Sequence, residues 1–264
     1  MYMLDHPGWD TADGTLNRAM RTQAGTWLII AEGESQLISG SGDAPPVDTY
    51  EPVTLDLTAL PPGLAHALRT LGPVRRWRNT DLWDALATAI IRQVIRAGQA
   101  RKMHQMFRAA AGYKVAATAL MPTPERVLAM SAEEFADLGM AFKRRPLQAA
   151  ADAYLDHHAE WTQLPADVLV KALQAVPRIG PWTAGAAVAD HTGDFSLYPY
   201  ADLAVRTWAA AADPAGAWPA DEPGFAATWR RLAGPHLSTL TVLTLAWGDD
   251  HARKPPVDSG AQPR

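Results

Sequence analysis

The sequence has no cysteine among its 264 residues. This absence excludes disulfide bonds, cysteine-ligated zinc, thiol catalysis and iron–sulfur clusters. Long apolar runs are missing as well, since no stretch approaches the ~20 residues that cross a bilayer. The first residues, MYMLDHPGWD, lack the basic flank and the apolar core of a secretory signal. We therefore expect a cytoplasmic protein that does not bind membranes.

Positive charge is scarce overall but concentrated in one segment. The formal net charge is −4, which does not suit a general nucleic-acid binder. Residues 1–68 hold nine acidic and two basic residues, whereas residues 69–108 hold nine basic and two acidic ones. A local basic surface matters more for phosphate binding than the net charge, so the second segment is a candidate phosphate-binding face; solvated helix faces are the alternative. Its basic residues are Arg69, Arg75, Arg76, Arg78, Arg92, Arg96, Arg101, Lys102 and Arg108, and Lys143, Arg144 and Arg145 follow downstream.

Clusters of glycine, aspartate and proline divide the chain into an N-terminal part with strands and a longer helical part. The first part contains three β-prone pieces, TWLIIA, SQLIS and PVTLDL, which predict a small, mostly antiparallel sheet. From residue 64 to about 248 the segments have the apolar spacing of helices, and Thr123, Ser131 and Asp202 precede such segments as N-caps. The sequence thus predicts a mainly α protein with a small N-terminal α+β part. The predicted domains are 1–62, with strands, and 63–250, helical, followed by a disordered tail over 251–264.

Residues 176–184, VPRIGPWTA, predict a turn between two helices. Pro177 and Gly180 interrupt an amphipathic run, LVKALQAV, which resumes as WTAGAAVADH. The N-terminus of the second helix presents backbone N–H groups and a partial positive charge, which attract phosphate. A lone carboxylate, Asp202, starts the next helix in YADLAVR. By itself Asp202 is an ordinary N-cap, and behind such a hairpin it becomes a candidate catalytic group.

These segments resemble the helix-hairpin-helix DNA glycosylase superfamily, in the branch of bacterial 3-methyladenine DNA glycosylase II. The similar segments are VPRIGPWTA with YADLAVR, AIIRQVIRAGQARKM, LGMAFKRRPLQAAADAYL and AGPHLSTLTVLTLAWG, which extend from about Gly72 to Gly248. The resemblance implies two helical lobes that flank a DNA cleft, with the hairpin at about 169–190. It also implies a monomer that binds double-stranded DNA without a cofactor. The one ion that it allows is a monovalent cation at the hairpin backbone near Val176 and Ile179.

The resemblance assigns the chemistry to Asp202, which lies 22 positions after Gly180, the spacing of the catalytic aspartate in this family. An ionised carboxylate at a helix N-terminus can stabilise positive charge developing on deoxyribose and can orient or deprotonate water. Lyases of this superfamily place a lysine two positions after the second hairpin glycine, where this chain has Trp182. The resemblance therefore implies base flipping followed by hydrolysis, without strand cleavage.

The resemblance also suggests a base pocket and a DNA face. Trp182, Tyr200 and His236 are the pocket candidates, with Trp182 stacking on an electron-poor base; core packing is the alternative for Trp182. Gln93 and Val94 align with the wedge that fills the gap left by a flipped base, although Val94 also suits a helix interior. The implied DNA contacts are Arg92, Gln93, Val94, Arg96, Arg178, Ile179, Gly180 and Thr183.

The chain departs from the family pattern around this DNA face. Arg178 replaces the first hairpin glycine, Arg92 replaces the glycine before the wedge, Arg96 replaces a serine and Leu237 replaces an arginine. We favour a monofunctional DNA glycosylase that removes alkylated purines in base excision repair, because a cationic base is already a good leaving group. Two alternatives stay open: a non-catalytic module that binds damaged DNA, and an enzyme of this fold that acts on a nucleoside or on a bulky adduct.

Overall fold

The computed structural model describes residues 1–253, and a small sheet comes first along the chain. Four strands form this antiparallel sheet in chain order: β1 (Asp10–Ala12), β2 (Thr15–Arg21), β3 (Gly25–Ile30) and β4 (Ser35–Gly40). Alternation along β3 buries Trp27 and Ile29 in a small apolar core, while every residue of the edge strand β4 is exposed. The predicted antiparallel sheet is confirmed.

The third β-prone piece, PVTLDL at residues 52–57, was expected as a strand, and this expectation is wrong. Pro52–Thr54 forms a short 3-10 helix instead, because a proline cannot donate to a strand ladder. The further strands pair as β5 (Val47–Tyr50) with β6 (Val74–Trp77), and as β7 (Lys114–Val115) with β8 (Thr118–Ala119). The β5–β6 pair joins residues from both sides of the predicted boundary at residue 62, and the boundary itself stays a prediction.

Helices form most of the chain that follows the sheet, which confirms the mainly α prediction. They are α1 (Pro62–Leu71), α2 (Leu82–Arg92), α3 (Ala97–Ala111), α4 (Pro124–Ala129), α5 (Ala132–Asp137), α6 (Ala141–Trp161), α7 (Ala166–Gln174), α8 (Pro181–Thr192), α9 (Leu203–Ala212), α10 (Glu222–Ala233) and α11 (Leu237–Arg253). The predicted N-caps are confirmed: Thr123 caps α4, and Ser131 forms a capping box with Glu134 at α5.

The α2 helix is the centre of the helical core. Every residue from 82 to 91 is buried, because α2 packs against α3, α6 and α8. Its first turn is fixed by Asp81, whose carboxylate accepts the backbone N–H groups of Trp83 and Asp84. A helix held on all sides and capped at its start has a fixed end, so the position of Arg92 determines where the following loop leaves the core.

The basic segment 69–108 contains arginines that serve the interior. Arg76 is buried and pairs with Asp5 and Asp190. Arg108 is buried too, and its guanidinium donates to the Asp10 carboxylate at 2.8 Å. Since buried cations need such partners, these ion pairs join the N-terminal residues to the helical body. The expectation that this segment faces phosphate is therefore wrong for Arg76 and Arg108.

The C-terminal helix α11 reaches Arg253, so it includes the first three residues of the predicted tail, 251–253. The rest of that tail, 254–264, lies outside the described residues. Within residues 1–253, no helix combines the length and the apolar character that a membrane crossing requires.

Candidate functional site

The predicted helical hairpin is present, with α7 and α8 joined by residues 175–180, here called the hairpin turn. The Ile179 N–H donates to the Val176 carbonyl at 3.1 Å, and both side chains are buried, which anchors the turn to the core. Gly180 and Pro181 are exposed at the start of α8, where no side chain caps the first N–H groups. The uncapped N-terminus of α8 can therefore bind an anion. The monovalent cation near Val176 and Ile179 stays a prediction.

Arg178 occupies the hairpin turn with a left-handed backbone, at φ 72°. A side chain with a Cβ pays about 1–2 kcal/mol for this conformation, whereas glycine pays almost nothing. The backbone here has the conformation that suits the glycine of the family pattern, although the residue is an arginine. Its side chain is exposed, so a charged group is held on the outer surface of the turn at a cost in backbone strain.

The loop between α2 and α3, residues 93–96, here called the wedge loop, leaves the core beside the hairpin turn. Val94 has a φ of 60° and is fully exposed. The alternative that Val94 packs in a helix interior is therefore wrong, because α2 ends at Arg92. A β-branched apolar residue held in water in a left-handed conformation has no stabilising role in the folded chain. The full exposure and the left-handed backbone of Val94 both fit a side chain that inserts into a binding partner.

Gln93 joins the wedge loop to the hairpin. Its Nε2 donates to the Thr183 hydroxyl oxygen at 2.5 Å and to the Arg178 carbonyl oxygen at 3.3 Å. Gln93 and Thr183 were both predicted as DNA contacts, and in this structure they contact each other. The bridge fixes the distance between the two loops, so whatever the loops bind must fit that spacing.

Lys143, which the sequence did not indicate as a site residue, supports the wedge loop through two hydrogen bonds. It lies on α6 with 2% of its surface exposed, and its Nζ donates to the carbonyl oxygens of Ile90 and Gln93, both at 2.7 Å. Burial lowers the pKa of Lys143 to about 8. The lysine belongs to LGMAFKRRPLQAAADAYL, one of the segments that resemble the family. The resemblance indicated the segment but not the carbonyl groups that Lys143 contacts. Its neighbour Phe142 is a large apolar residue on the surface.

Asp202 is the N-cap of α9, as predicted, and both of its carboxylate oxygens are hydrogen-bonded. Oδ1 accepts the Leu203 N–H at 2.7 Å, and Oδ2 accepts the Tyr198 hydroxyl at 3.1 Å. The Asp202 N–H donates to the Pro199 carbonyl at 2.7 Å, which closes the turn before the helix. The carboxylate is thus fixed in orientation, and each oxygen keeps a lone pair for a further partner.

Arg92 brings the end of α2 into the same region as Asp202. Its guanidinium is half-buried, and its positive charge acts on the buried hydroxyl of Tyr198 and on the carboxylate of Asp5. Tyr198 in turn bonds to Asp202, so three parts of the chain converge: the end of α2, the N-terminal segment and the start of α9. Burial raises the pKa of Tyr198, so this hydroxyl stays protonated and acts as a donor.

The predicted pocket residues lie on different elements. Trp182 is half-buried in the first turn of α8 and packs against the main core, which agrees with the alternative that it is a core residue. Tyr200 is half-buried, with the Arg230 guanidinium 5.3 Å from its ring centre. His236 is exposed in a short 3-10 helix before α11. Nothing in these contacts tests a base pocket, so its three residues stay predictions.

A buried cluster of His6, Asp84 and His104 has the donor set of a metal site, with ligand atoms within 4.8 Å of one another. Two of its residues already have partners, since Asp84 pairs with Arg18 at 3.5 Å and Nδ1 of His104 accepts from Arg108 at 3.1 Å, whereas Nε2 of His6 has no hydrogen-bond partner among the described residues. Burial, with the guanidinium groups nearby, holds the pKa of both histidines well below the usual range. Because these arginines would repel a cation, the cluster fits an internal hydrogen-bond network and does not fit a metal.

Several solved structures with a similar fold are DNA glycosylases. The 8-oxoguanine glycosylase/lyase of Clostridium acetobutylicum, in complex with double-stranded DNA, matches with a TM-score of 0.67 and 15% identity over 94% of this chain and 90% of that one. The 3-methyladenine DNA glycosylase of Archaeoglobus fulgidus matches with a TM-score of 0.66 and 16% identity, over 92% and 90% of the two chains. No protein-family model and no curated protein matches the sequence. The chain thus has the fold of the helix-hairpin-helix DNA glycosylases, as its sequence predicted.

Proposed function

We propose that this protein is a monofunctional DNA glycosylase, which flips a damaged purine out of duplex DNA and hydrolyses its N-glycosidic bond. The observation that carries the proposal is the carboxylate of Asp202, fixed through both oxygens at the N-terminus of α9, behind a hairpin with an uncapped helix start. A catalytic carboxylate must be positioned before the substrate arrives, and this one is.

DNA binding is proposed for the surface that contains the hairpin turn and the wedge loop. The N–H groups at the start of α8 bind a backbone phosphate, and the exposed side chains of Arg96 and Arg178 add positive charge beside it. Such contacts position a duplex without reading its sequence. Val94 is exposed on the wedge loop and fills the gap in the base stack when a nucleotide leaves it.

The chemistry assigned to Asp202 is hydrolysis at the sugar. The bond between C1′ and the base nitrogen breaks, and its electron pair leaves with the base. The ionised carboxylate stabilises the positive charge on the sugar ring, and a water oxygen then bonds to C1′. The proton released by the water passes to the carboxylate or to the departed base.

Two observations favour hydrolysis over lyase chemistry. The position at which a lyase of this superfamily carries its amine holds Trp182, which cannot form a Schiff base. Lys143, the buried lysine of this region, directs its Nζ to the carbonyl groups of Ile90 and Gln93. Neither residue offers a nucleophilic amine to the sugar.

An alkylated purine is the proposed substrate. A base alkylated on a ring nitrogen carries positive charge and leaves without protonation, which suits a site whose proposed chemistry rests on a single carboxylate. Structures of similar fold include a 3-methyladenine and an 8-oxoguanine glycosylase, so the choice between these substrates rests on the chemistry of the leaving base. The opposite preference, for a neutral oxidised purine, would appear as faster release of 8-oxoguanine than of methylated purines from otherwise identical duplexes.

The substitution Asp202→Asn tests the proposal. Asparagine is as good an N-cap as aspartate, so the fold is kept while the charge is removed. Release of base from methylated duplex DNA, measured under single-turnover conditions, should fall by about two orders of magnitude or more, with duplex affinity unchanged.

Two results would contradict the proposal. Release at the wild-type rate by the Asp202→Asn protein would remove the carboxylate from the mechanism. Tight binding of damaged duplexes without release of any base, by the wild type and the variant alike, would favour a non-catalytic module that binds damaged DNA.

A further inference from the structure

Tyr198 is a buried residue whose hydroxyl points at the proposed catalytic carboxylate. Only 3% of its surface is exposed, and its Oη donates to Oδ2 of Asp202 at 3.1 Å. A buried tyrosine usually directs its hydroxyl to a backbone carbonyl or to water. Here the acceptor is a charged group, and hydrogen bonds to charged groups contribute more than those between neutral groups.

The local backbone explains how the tyrosine reaches back to Asp202. The Tyr200 N–H donates to the Tyr198 carbonyl at 2.6 Å, and the Asp202 N–H donates to the Pro199 carbonyl at 2.7 Å. These bonds fold residues 198–202 into a tight turn, so that the side chains at its two ends, Tyr198 and Asp202, are in contact. The pair forms because of this turn and needs no movement of another element.

The ring of Tyr198 is fixed from behind. It stacks on the ring of Phe195, with the two ring centres 5.8 Å apart. The guanidinium of Arg76 lies 5.0 Å from the centre of the Phe195 ring. Arg76 is itself held by Asp5 and Asp190. The hydroxyl therefore has little freedom to turn away from the carboxylate.

We propose that Tyr198 is a positioning residue, which holds the Asp202 carboxylate in one orientation toward the sugar. This inference rests on the proposed function, because it gives Tyr198 a task only if Asp202 acts on a substrate. The hydroxyl restricts rotation about the Cβ–Cγ bond of the aspartate. The other charged groups that act on this hydroxyl are Arg92 at the end of α2 and Asp5 in the N-terminal segment.

Tyr50 provides a matched control for this role. It is also buried, with 7% of its surface exposed, and its ring meets Phe195 edge-on at 6.3 Å. Its hydroxyl donates to the backbone carbonyl of Gly193 at 2.6 Å. Tyr50→Phe and Tyr198→Phe thus remove the same buried hydroxyl from the same aromatic group, and only Tyr198→Phe removes it from a carboxylate.

The experiment measures single-turnover base release at neutral pH for the wild type and both variants. In Tyr198→Phe the rate should fall about fivefold to tenfold, because the carboxylate is no longer held in one orientation. Duplex affinity should not change. Tyr50→Phe should keep the wild-type rate, even though its folded state loses a comparable hydrogen bond. An unchanged rate in Tyr198→Phe would overturn the proposal.

A second measurement separates this inference from the proposed function. Crystal structures of the free wild type, Tyr198→Phe and Tyr50→Phe compare the orientation of the Asp202 carboxylate. In Tyr198→Phe the carboxylate should rotate or occupy more than one orientation, and in Tyr50→Phe it should stay as in the wild type, whether or not the protein releases a base. An unchanged, single orientation in Tyr198→Phe would overturn the role of Tyr198, while an active Asp202→Asn protein would overturn the proposed function alone.

Discussion

The wedge loop and the hairpin turn share one feature and differ in how they use it. Each holds a residue with a Cβ in the left-handed region, Val94 at φ 60° and Arg178 at φ 72°. Each such residue costs about 1–2 kcal/mol, which a folded protein keeps only where something depends on it. Val94 is apolar and Arg178 is charged. The two loops therefore present different chemistry to the same surface: one suits stacked bases and the other suits phosphate.

The supports of the two loops differ as well. The wedge loop is held by a buried cation, Lys143, which takes up two carbonyl groups at the end of α2. The hairpin turn is held by buried apolar side chains and by the amide of Gln93. The wedge loop is thus held by polar contacts, those of Lys143 and of Gln93 with the hairpin, whereas the hairpin turn is also anchored by buried apolar side chains.

The largest effect is expected for Lys143→Met, which breaks the support of the wedge loop. Methionine fills a similar volume but leaves the Ile90 and Gln93 carbonyl groups without their donor. The free energy of unfolding should fall by about 2–3 kcal/mol, since each buried acceptor loses a charged hydrogen bond. Urea denaturation measures this change, and Lys102→Met, at an exposed position on α3, is the matched control. A loss below about 0.5 kcal/mol would show that the carbonyl groups find other partners.

Lys143 also predicts how stability depends on pH. Its pKa is about 8 in the folded protein, below the ordinary lysine value of about 10.4. Between these two values the unfolded chain binds more protons than the folded one, so the free energy of unfolding should rise as the pH increases through that window. Lys143→Met should lack this rise, and equal slopes in both proteins would contradict the assignment.

Val94→Gly should separate strain from function in the wedge loop. Glycine accepts the left-handed backbone, so the free energy of unfolding should rise by about 1 kcal/mol. Base release should nevertheless fall by about tenfold, or about 1.4 kcal/mol, because the gap in the base stack is no longer filled. Val94→Leu keeps an apolar side chain and should retain most of the activity. A Val94→Gly protein as active as the wild type would show that Val94 is no wedge.

The smallest effect is expected for Arg178→Gly, which restores a glycine to the hairpin turn. Stability should rise by about 0.5–1 kcal/mol as the strain is relieved. Duplex affinity should decrease modestly, and the slope of log K against log salt should become shallower by about one, because one phosphate contact is lost. Arg178→Gln removes the charge and keeps the strain, so it should lower affinity without raising stability. Unchanged affinity in both variants would show that Arg178 contacts no phosphate.

The sequence predicted the parts of the site that local signals determine. Pro177 and Gly180 interrupt a helical pattern, so these two residues predicted the hairpin. Asp202 precedes an apolar helix, and its predicted N-cap is confirmed by the bond from the Leu203 N–H. Both features depend on residues close in sequence, and such features are the ones that a single sequence reveals.

Contacts between distant residues could not be predicted in this way. Lys143 reaches carbonyl groups about fifty positions earlier, and Gln93 bonds to Thr183 ninety positions later. The burial of Arg76 was also hidden, because an arginine in a basic segment usually remains in water. Only packing determines which member of such a segment is paired inside, so the sequence predicted an exposed charge where the structure has a buried arginine with two carboxylate partners.

The buried ion pairs of Arg76 have a consequence for the order in which the chain can fold. Its partners, Asp5 and Asp190, lie near the start of the chain and at the end of α8. During synthesis the N-terminal strands emerge long before α8 exists, so the guanidinium cannot gain its second carboxylate partner until residue 190 has been made. Early domains usually fold as they emerge. Here the last step that secures the N-terminal segment must wait for the hairpin, which couples the maturation of the sheet to that of the helical body.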